Sequence, residues 1–386
     1  MAYAETDPIV IDRVQCFAVS ARPPVGPESS LGTMPVRNGL LIELTTQDGV
    51  TGWGEIWCNF PPRGNIARQN LMQDVIAPWL IGTRFASYSE CRLALENDLA
   101  RMMIHTGEFG PFAHCLAGID TAMADIAARQ QGVPLCQFLS GKAPRTVPVY
   151  ASTPNLSQME DSVGEIIDMG HTGVKLKIGH GLGRDHEILS GVAAAAKGRL
   201  KIMVDANQNW TVSEAIEAVS ALSDVNLGFV EEPLRADAPL NDWAELAQAV
   251  DVPLAGGENI TSFQQFQDFI SQGKLRVVQP DVAKWGGVSG TYAVGQHAAT
   301  AGATCTMHYM GTGLGLAASF HVLAAIGGQG LVELDANPNP LRTDLGEIDL
   351  TLSDGRVDVP RGPGIGFSPD LAALRAMAVG SFDLSN

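Results

Sequence analysis

The chain has 386 residues, with 42 Asp and Glu against 25 Lys and Arg, a formal net charge of −17. That balance argues against a duplex nucleic-acid binder, which gains affinity from cations laid along phosphates, and no run of 18 apolar residues supports a membrane-spanning helix. Charged residues are 17% of the chain, below the roughly 25% of ordinary soluble domains, as expected of a protein that buries much of its length.

The first residues, MAYAETDPIVIDRV, lack the basic start and apolar core of a signal peptide, so a cytoplasmic location is expected. From about 10 to 56 the chain reads as antiparallel strands: IDRVQCFAVSA, then GLLIELTTQDGVTGWGE, whose alternation breaks at Asp48-Gly49, a hairpin signal. From about 65 to 140 the pattern is helical, as in NLMQDVIAPWLIG and HCLAGIDTAMADIAARQQG, the latter ending at Gly132 with Pro134 beyond. Residues 1–140 are therefore expected to form an α+β domain. Six cysteines (Cys16, Cys58, Cys91, Cys115, Cys136, Cys305) fall without CxxC spacing and read as reduced, mostly buried small hydrophobes.

Near residue 147 the pattern changes. Short apolar runs recur with room for one helix between each and the next: VPVYAS (147–152), GVKLKI (173–178), KIMVD (201–205), GFVEE (228–232), VPLAG (252–256), RVVQP (276–280), TCTMH (304–308) and LVEL (331–334). Strands alternating with helices imply parallel pairing, and eight such units imply an α/β fold closed as a (β/α)₈-type barrel over 141–340. No closing helix is evident after the eighth run. Residues 341–386 are rich in turns, hold a short helix near 369–378 and are expected to return to the N-terminal domain.

In such a barrel the site lies at the C-terminal ends of the strands. The sequence places there Lys175 and Lys177, Asp205, Glu231, Glu258, Asp281, His308 and Glu333, spaced 23–28 residues apart from Lys177 onward. Asp205, Glu231 and Glu258, on adjacent strands, repel one another unless a cation is bound, and an oxygen-only set favours Mg²⁺ over zinc. Strand alternation turns only Glu231 of the Glu231-Glu232 pair inward, leaving Glu232 as a partner behind it; Asn207 and Asn259 are further supporting candidates. Lys175 and Lys177 share a strand face, and two adjacent ammonium groups are expected to depress each other's pKa from about 10.4 towards neutrality, as a lysine base requires. Asp281 beside His308 fixes the imidazole tautomer and leaves its other nitrogen as acid or base. The remaining histidines, His171, His180 and His321 among them, read as structural. Candidates for the substrate's far end are Trp57, Phe60, Arg22 and Arg37, on segments 20–37 and 56–64 whose composition suits a lid, together with Asn207 and Tyr309. The run GTGLG (311–315), if it opens a helix, offers backbone N–H groups to a distal anionic or hydroxyl group of the substrate.

As an ordered set, VKLKIG (174–179), VDANQNW (204–210), FVEEP (229–233), GGEN (256–259), QPDVAKWGGVSG (279–290) and His308, with GWGE (52–55) and PGIGF (363–367), resemble the enolase superfamily, specifically its mandelate racemase-like group in the mandelate racemase/muconate lactonizing enzyme family, over nearly the whole chain. The resemblance implies a (β/α)₇β barrel, TIM-like, under an α+β capping domain formed by the N-terminal segment plus the C-terminal tail. It implies one Mg²⁺ per active site, with Mn²⁺ able to substitute, on Asp205, Glu231 and Glu258. Lys177 would be one acid/base and the His308–Asp281 dyad the other, on opposite faces of the substrate. Glu333, kept neutral by burial and the crowd of carboxylates, would donate to the substrate carboxylate, with Lys175 beside it. In other groups of the superfamily a lysine stands where this chain has Asp281; Lys284, three residues later, is not read as that base but as a neighbour of the metal ligands.

The implied chemistry is removal of the proton α to a carboxylate through an enediolate. If His308 protonates a β-hydroxyl leaving group the enzyme is a dehydratase of a sugar acid or related hydroxy acid, the leading reading on family frequency; return of a proton from the opposite face makes it a racemase or epimerase. Two other readings are an inactive metal-binding scaffold, whose mark would be loss of Lys177 or His308, and a metal hydrolase, which usually draws on several histidine ligands where this ring has one. The expected partners are a small-molecule carboxylate and further copies of the chain in a homo-oligomer, with no nucleic acid and no membrane.

Overall fold

A computed structural model describes residues 8–26, 28, 29, 32–143, 145–154 and 159–386. Residues 1–7 of the signal-peptide reading and residues 27, 30 and 31 of the 20–37 segment lie outside the described residues.

The N-terminal part forms β1 (Ile9–Ala21), a ribbon of β2 (Glu28–Ser29) and β3 (Gly32–Thr33), then β4 (Arg37–Thr46), β5 (Thr51–Glu55) and β6 (Arg84–Phe85). β1 pairs antiparallel with β4, and β4 with β5 across the Asp48-Gly49 turn, where Gly49 takes φ 82°. The long helix Phe109–Gln130 packs on β5, with residues buried nearly all round it, because the sheet covers one side and the barrel helix Gly287–Thr300 another. Glycine at position 54 permits this contact: a Cβ there would lie 1.9 Å from the Gly118 carbonyl oxygen.

The eight expected barrel strands are all present: β7 (Thr146–Ser152), β8 (Gly173–Lys177), β9 (Lys201–Asp205), β10 (Leu227–Glu231), β11 (Leu254–Gly256), β12 (Val277–Val278), β13 (Thr304–Cys305) and β14 (Val332–Asp335). They pair in parallel in the order β13-β12-β11-β10-β9-β8-β7-β14. A parallel bridge between Met307 and Val332 joins the two ends and closes the ring. Helices of 9–15 residues fill the seven intervals, and the four-residue helix Pro340–Thr343 comes directly after β14 where a barrel helix would stand. The closing helix of a (β/α)₈ barrel is thus missing, and the architecture is (β/α)₇β. In its place the chain runs to β15 (Arg356–Asp358), antiparallel to β7, then through the helix Leu371–Met377 to β16 (Ala378–Ser385), antiparallel to β1. The last strand completes the cap sheet from the far end of the chain.

All six cysteines are buried and free, and no described helix is long and apolar enough to cross a membrane. His321, buried in the helix Gly313–Ile326, is structural as expected. Its Nδ1 accepts the Cys136 N–H at 3.1 Å and its Nε2 donates to the Ile365 carbonyl at 2.9 Å, joining cap, barrel and tail. Burial holds this imidazole down to a pKa of about 4, whereas an unfolded histidine titrates near 6.5. Between those values the unfolded chain binds the extra proton. Stability present above pH 6.5 is therefore lost as pH falls towards 4, by about 3 kcal/mol for the full shift. Urea unfolding should show the stability difference between the native chain and His321→Gln shrinking from pH 7 to pH 5; a pH-independent difference contradicts this role.

Candidate active site

Inward side chains lie two residues apart along each barrel strand, so the interior is built in layers. Tyr150, Met203, Phe229, Ala255 and Val277 form an apolar plug. One step nearer the C-terminal ends, the same parity yields Ser152, Asp205, Glu231, Gly257 and Gln279. Gly257, at φ 147°, lies against the Gln279 backbone, where a Cβ would come within 2.7 Å of the Gln279 nitrogen. Beyond the strand ends come Glu258, Asp281 and His308. The parity of β8 adds Lys175 and Lys177, and that of β14 adds Glu333. All the ring residues singled out in the sequence meet at this mouth.

Lys175, buried, places Nζ 2.7 Å from both Glu231 oxygens, 2.9 Å from Glu333 Oε1 and 3.7 Å from Asp205 Oδ2. Lys177 Nζ donates to Asp205 Oδ2 at 2.5 Å. His308 bonds Asp281 Oδ2 through Nδ1 at 2.7 Å and Glu258 Oε2 through Nε2 at 2.5 Å, the arrangement of an imidazolium donating twice. Lys284 reaches Asn259 Oδ1 at 2.8 Å and Glu258 Oε1 at 3.2 Å. Asn207 donates to Asp205 from its backbone N–H at 2.8 Å and from Nδ2 at 3.2 Å. Each carboxylate is thus turned onto a cation of the protein, and among the described residues no three of them are already arranged around a common centre.

The electrostatics correct two expectations. Burial and Lys175 both push Lys177 down, but Asp205 and Glu231 outweigh them and hold it above the usual lysine range; Lys175 is held well above it by Glu231 and Glu333, against burial. The lysines therefore do not depress each other to neutrality, because the carboxylates bonded to each outweigh the second ammonium. Burial favours a neutral Glu333, but Lys175, His308 and the Ser152 hydroxyl keep its pKa low, so the carboxyl is ionised. Burial and the Asp205 charge push Glu231 up to about 8 against the pull of Lys175, and burial with Glu258 does the same to Glu232.

A cavity of about 270 Å³ opens above this layer, with Lys177, His308 and Glu258 in its floor and Trp57, Phe60 and Arg37 of the cap in its wall. Asn207 and Lys284 also line it. Glu232 does so too, rather than standing behind Glu231: φ 40° at Glu232 breaks the strand alternation, and Glu232 lines the cavity while Glu231 stays on Lys175 and Gln279. Three candidate contacts lie elsewhere. Arg22 is exposed beyond the end of β1 and is not in the cavity wall. Tyr309 turns its hydroxyl onto Glu55, and only its N–H, donating to Glu333 at 3.2 Å, serves the site. The run 311–315 does open a helix, but its anion is already part of the protein. Glu55 accepts from Thr312 N at 2.9 Å, Thr312 Oγ1 at 2.5 Å and Gly315 N at 3.2 Å. Segment 56–64 is seated on the barrel: Trp57 N–H donates to Ala283 O at 3.1 Å, and its ring lies under Lys284 Nζ at 4.7 Å.

Sequence reasoning missed the uncharged polar members of the layer. Gln279 donates to Glu231, and Ser152 donates to Glu333 while sharing a hydrogen bond with Thr153. Strand parity with Tyr150 and Val277 carried the signal; attention to ionisable residues alone passed over it.

Residues 13–140 match the family described as mandelate racemase/muconate lactonizing enzyme, N-terminal domain, and residues 158–373 that described as enolase C-terminal domain-like. The chain is 28% identical over 353 residues to D-galactarolactone cycloisomerase of Agrobacterium fabrum, covering 88% of this chain and 90% of the relative. It is 28% identical over 332 residues to arabinonate dehydratase of Saccharolobus solfataricus (84% and 87%). It is 27% identical over 354 residues to L-Ala-D/L-Glu epimerase of Bacillus subtilis (88% and 91%). Among solved structures it is similar to a mandelate racemase/muconate lactonizing enzyme from Bordetella bronchiseptica RB50, at 42% identity and a TM-score of 0.89 over 96% of this chain and 100% of that one.

Glu55 ties the cap to the barrel, and its removal leaves two helix N–H groups and two hydroxyls without an acceptor. Glu55→Ala is expected to cost about 3 kcal/mol, read as a lower urea midpoint; an unchanged midpoint removes Glu55 from the docking.

Proposed function

The chain belongs to the mandelate racemase/muconate lactonizing enzyme family of the enolase superfamily, and on that premise we propose that it is a Mg²⁺-dependent enzyme that removes the proton α to a carboxylate, with dehydration of a sugar acid or related hydroxy acid as its activity. One observation carries the reading: two proton-transfer groups flank a single arc of carboxylates. Asp205, Glu231 and Glu258 stand at adjacent strand ends, with Lys177 on the first at 2.5 Å and His308 on the third at 2.5 Å.

The donor chemistry fits a hard divalent cation. Asp205, Glu231, Glu232, Asp281 and Glu333 are buried and Glu258 partly so, facing three ammonium groups and one imidazole. Asp205, Glu231 and Glu258 would hold Mg²⁺ through oxygen alone. Held there, Mg²⁺ would supply positive charge to stabilise the negative charge that develops on the substrate's oxygens. Lys177 is placed to take the proton on one face once it has given up its own, which a cation drawing Asp205 away from it would favour, and His308, its Nδ1 held by Asp281, is placed to give one on the other. Gln279 and Lys175 orient Glu231, and Ser152 orients Glu333. Delivered to a β-hydroxyl, the His308 proton expels water; delivered to the α-carbon, it inverts the centre. Arabinonate dehydratase among the relatives supports the first outcome.

Incubation with Mg²⁺ and a panel of aldonic and aldaric acids in D₂O should give a keto-deoxy product. An α-deuterated epimer in its place assigns racemisation, and neither product from any acid contradicts the reaction class. Lys177→Ala and His308→Asn should each lower kcat by about 10³-fold with the fold retained by circular dichroism; near-native turnover removes that residue from the mechanism.

A further inference from the structure

The cap contributes one cation to the cavity wall, and its surroundings leave it incompletely matched. Arg37, the first residue of β4, is only 2% exposed yet lines the cavity. Its Nη2 donates to Asp335 Oδ2, while among the described residues Nε and Nη1 have no hydrogen-bond partner. Asp335 stands two residues beyond Glu333 on β14, so the two carboxylates share a strand face, Asp335 the farther from the barrel interior.

Asp335 cannot balance the charge around it. Its Oδ1 is occupied by Asn337, which donates from N at 3.0 Å and from Nδ2 at 3.1 Å. A second guanidinium, Arg342, donates to the Asp335 carbonyl at 2.6 Å and leaves its own buried Nε without a partner. Burial and Arg37 push Arg342 below the ordinary arginine value despite Asp335. One guanidinium is paired with the Asp335 carboxylate and a second lies on its main-chain carbonyl, with three buried side-chain nitrogens, Arg37 Nε and Nη1 and Arg342 Nε, unmatched. Buried donors and charges are ordinarily paired, and a guanidinium fork suits a planar carboxylate.

We propose that Arg37 is the specificity-determining residue for a second carboxylate on the substrate, so that the acid taken is a short hydroxylated dicarboxylic acid. This rests on the proposed function, which places the reacting carboxylate at the Asp205–Glu231–Glu258 end. The distal carboxylate then lies at the cap wall, where it accepts from Arg37 and balances the Arg37–Arg342–Asp335 cluster. The cavity of about 270 Å³ lies just below the usual range of ligand sites, which suits a compact acid.

The test compares matched pairs, galactarate with galactonate and glucarate with gluconate, in the native enzyme, Arg37→Gln and Arg37→Lys. The lysine variant keeps a cation for Asp335 but loses the fork, which guards against simple misfolding. The native enzyme should favour the diacid at least tenfold in kcat/KM. In both variants that ratio should collapse, mainly through KM. A native preference for the monoacid, or a ratio unchanged in Arg37→Lys, overturns the proposal. Thermal shift with unreactive probes separates this from failure of the reaction class. With Mg²⁺ present, succinate should raise Tm more than butyrate in the native protein and not in Arg37→Lys, even if no acid is turned over. Equal shifts from the two probes overturn the proposal independently.

Discussion

Five buried carboxylates and a sixth partly buried one share one end of the barrel, and the surrounding architecture is arranged to make that tolerable. Two like charges 4 Å apart repel by about 4 kcal/mol at an effective dielectric near 20, so the crowd persists only with cations interleaved. Lys175 lies beneath, shared between Glu231 and Glu333. Lys177, Lys284 and His308 take the rim. Layering by strand parity sets this pattern: the residues two steps earlier, Met203 and Phe229, fill the barrel with apolar volume and keep water from the charges above. The same geometry that crowds the acids makes the end of the barrel chemically useful, since charge developing on a bound acid meets groups already fixed in place.

The acidic excess of the chain has a second use. Three cap carboxylates are buried against the rest of the fold as hydrogen-bond acceptors. Glu55 caps the helix Gly313–Ile326. Asp120 caps the helix Gly287–Thr300 through Ser289 N at 2.8 Å, although burial pushes it up to about 6. Asp125 joins Trp53 N at 3.0 Å to Ile365 N at 2.7 Å in the tail. A helix N-terminus presents unpaired N–H groups and a positive dipole end, so an acid from the cap is its natural complement. Trp57 and Arg37 thus reach the cavity from a cap that these acids join to the barrel and the tail.

Much of this was legible in the sequence because barrel strands repeat. Eight apolar runs, seven of them with an ionisable residue near or just past their C-terminal end, determine both the fold class and the ring from Lys177 to Glu333, and the DG hairpin and free cysteines follow from local chemistry. What was not legible depended on contacts between distant segments. The protonation of Lys175, Lys177 and Glu333 is decided by which opposite charge lies nearest, a distance no spacing supplies. The run 311–315 opens a helix as expected, but it holds no distal group of a substrate, because its N–H groups are taken by Glu55 of GWGE, far earlier in the chain. Glu232 faces the cavity only because of a positive φ, and Tyr309 turns away only because Glu55 is there to receive its hydroxyl.

The central claim is that Asp205, Glu231 and Glu258 form a divalent-metal site. The most direct measurement is calorimetric titration of the metal-stripped protein with Mg²⁺, checked with Mn²⁺ by electron paramagnetic resonance. One ion should bind per chain, and Glu231→Gln and Asp205→Asn should each weaken it by at least tenfold with the fold intact. No saturable binding, or binding indifferent to both substitutions, would contradict the account.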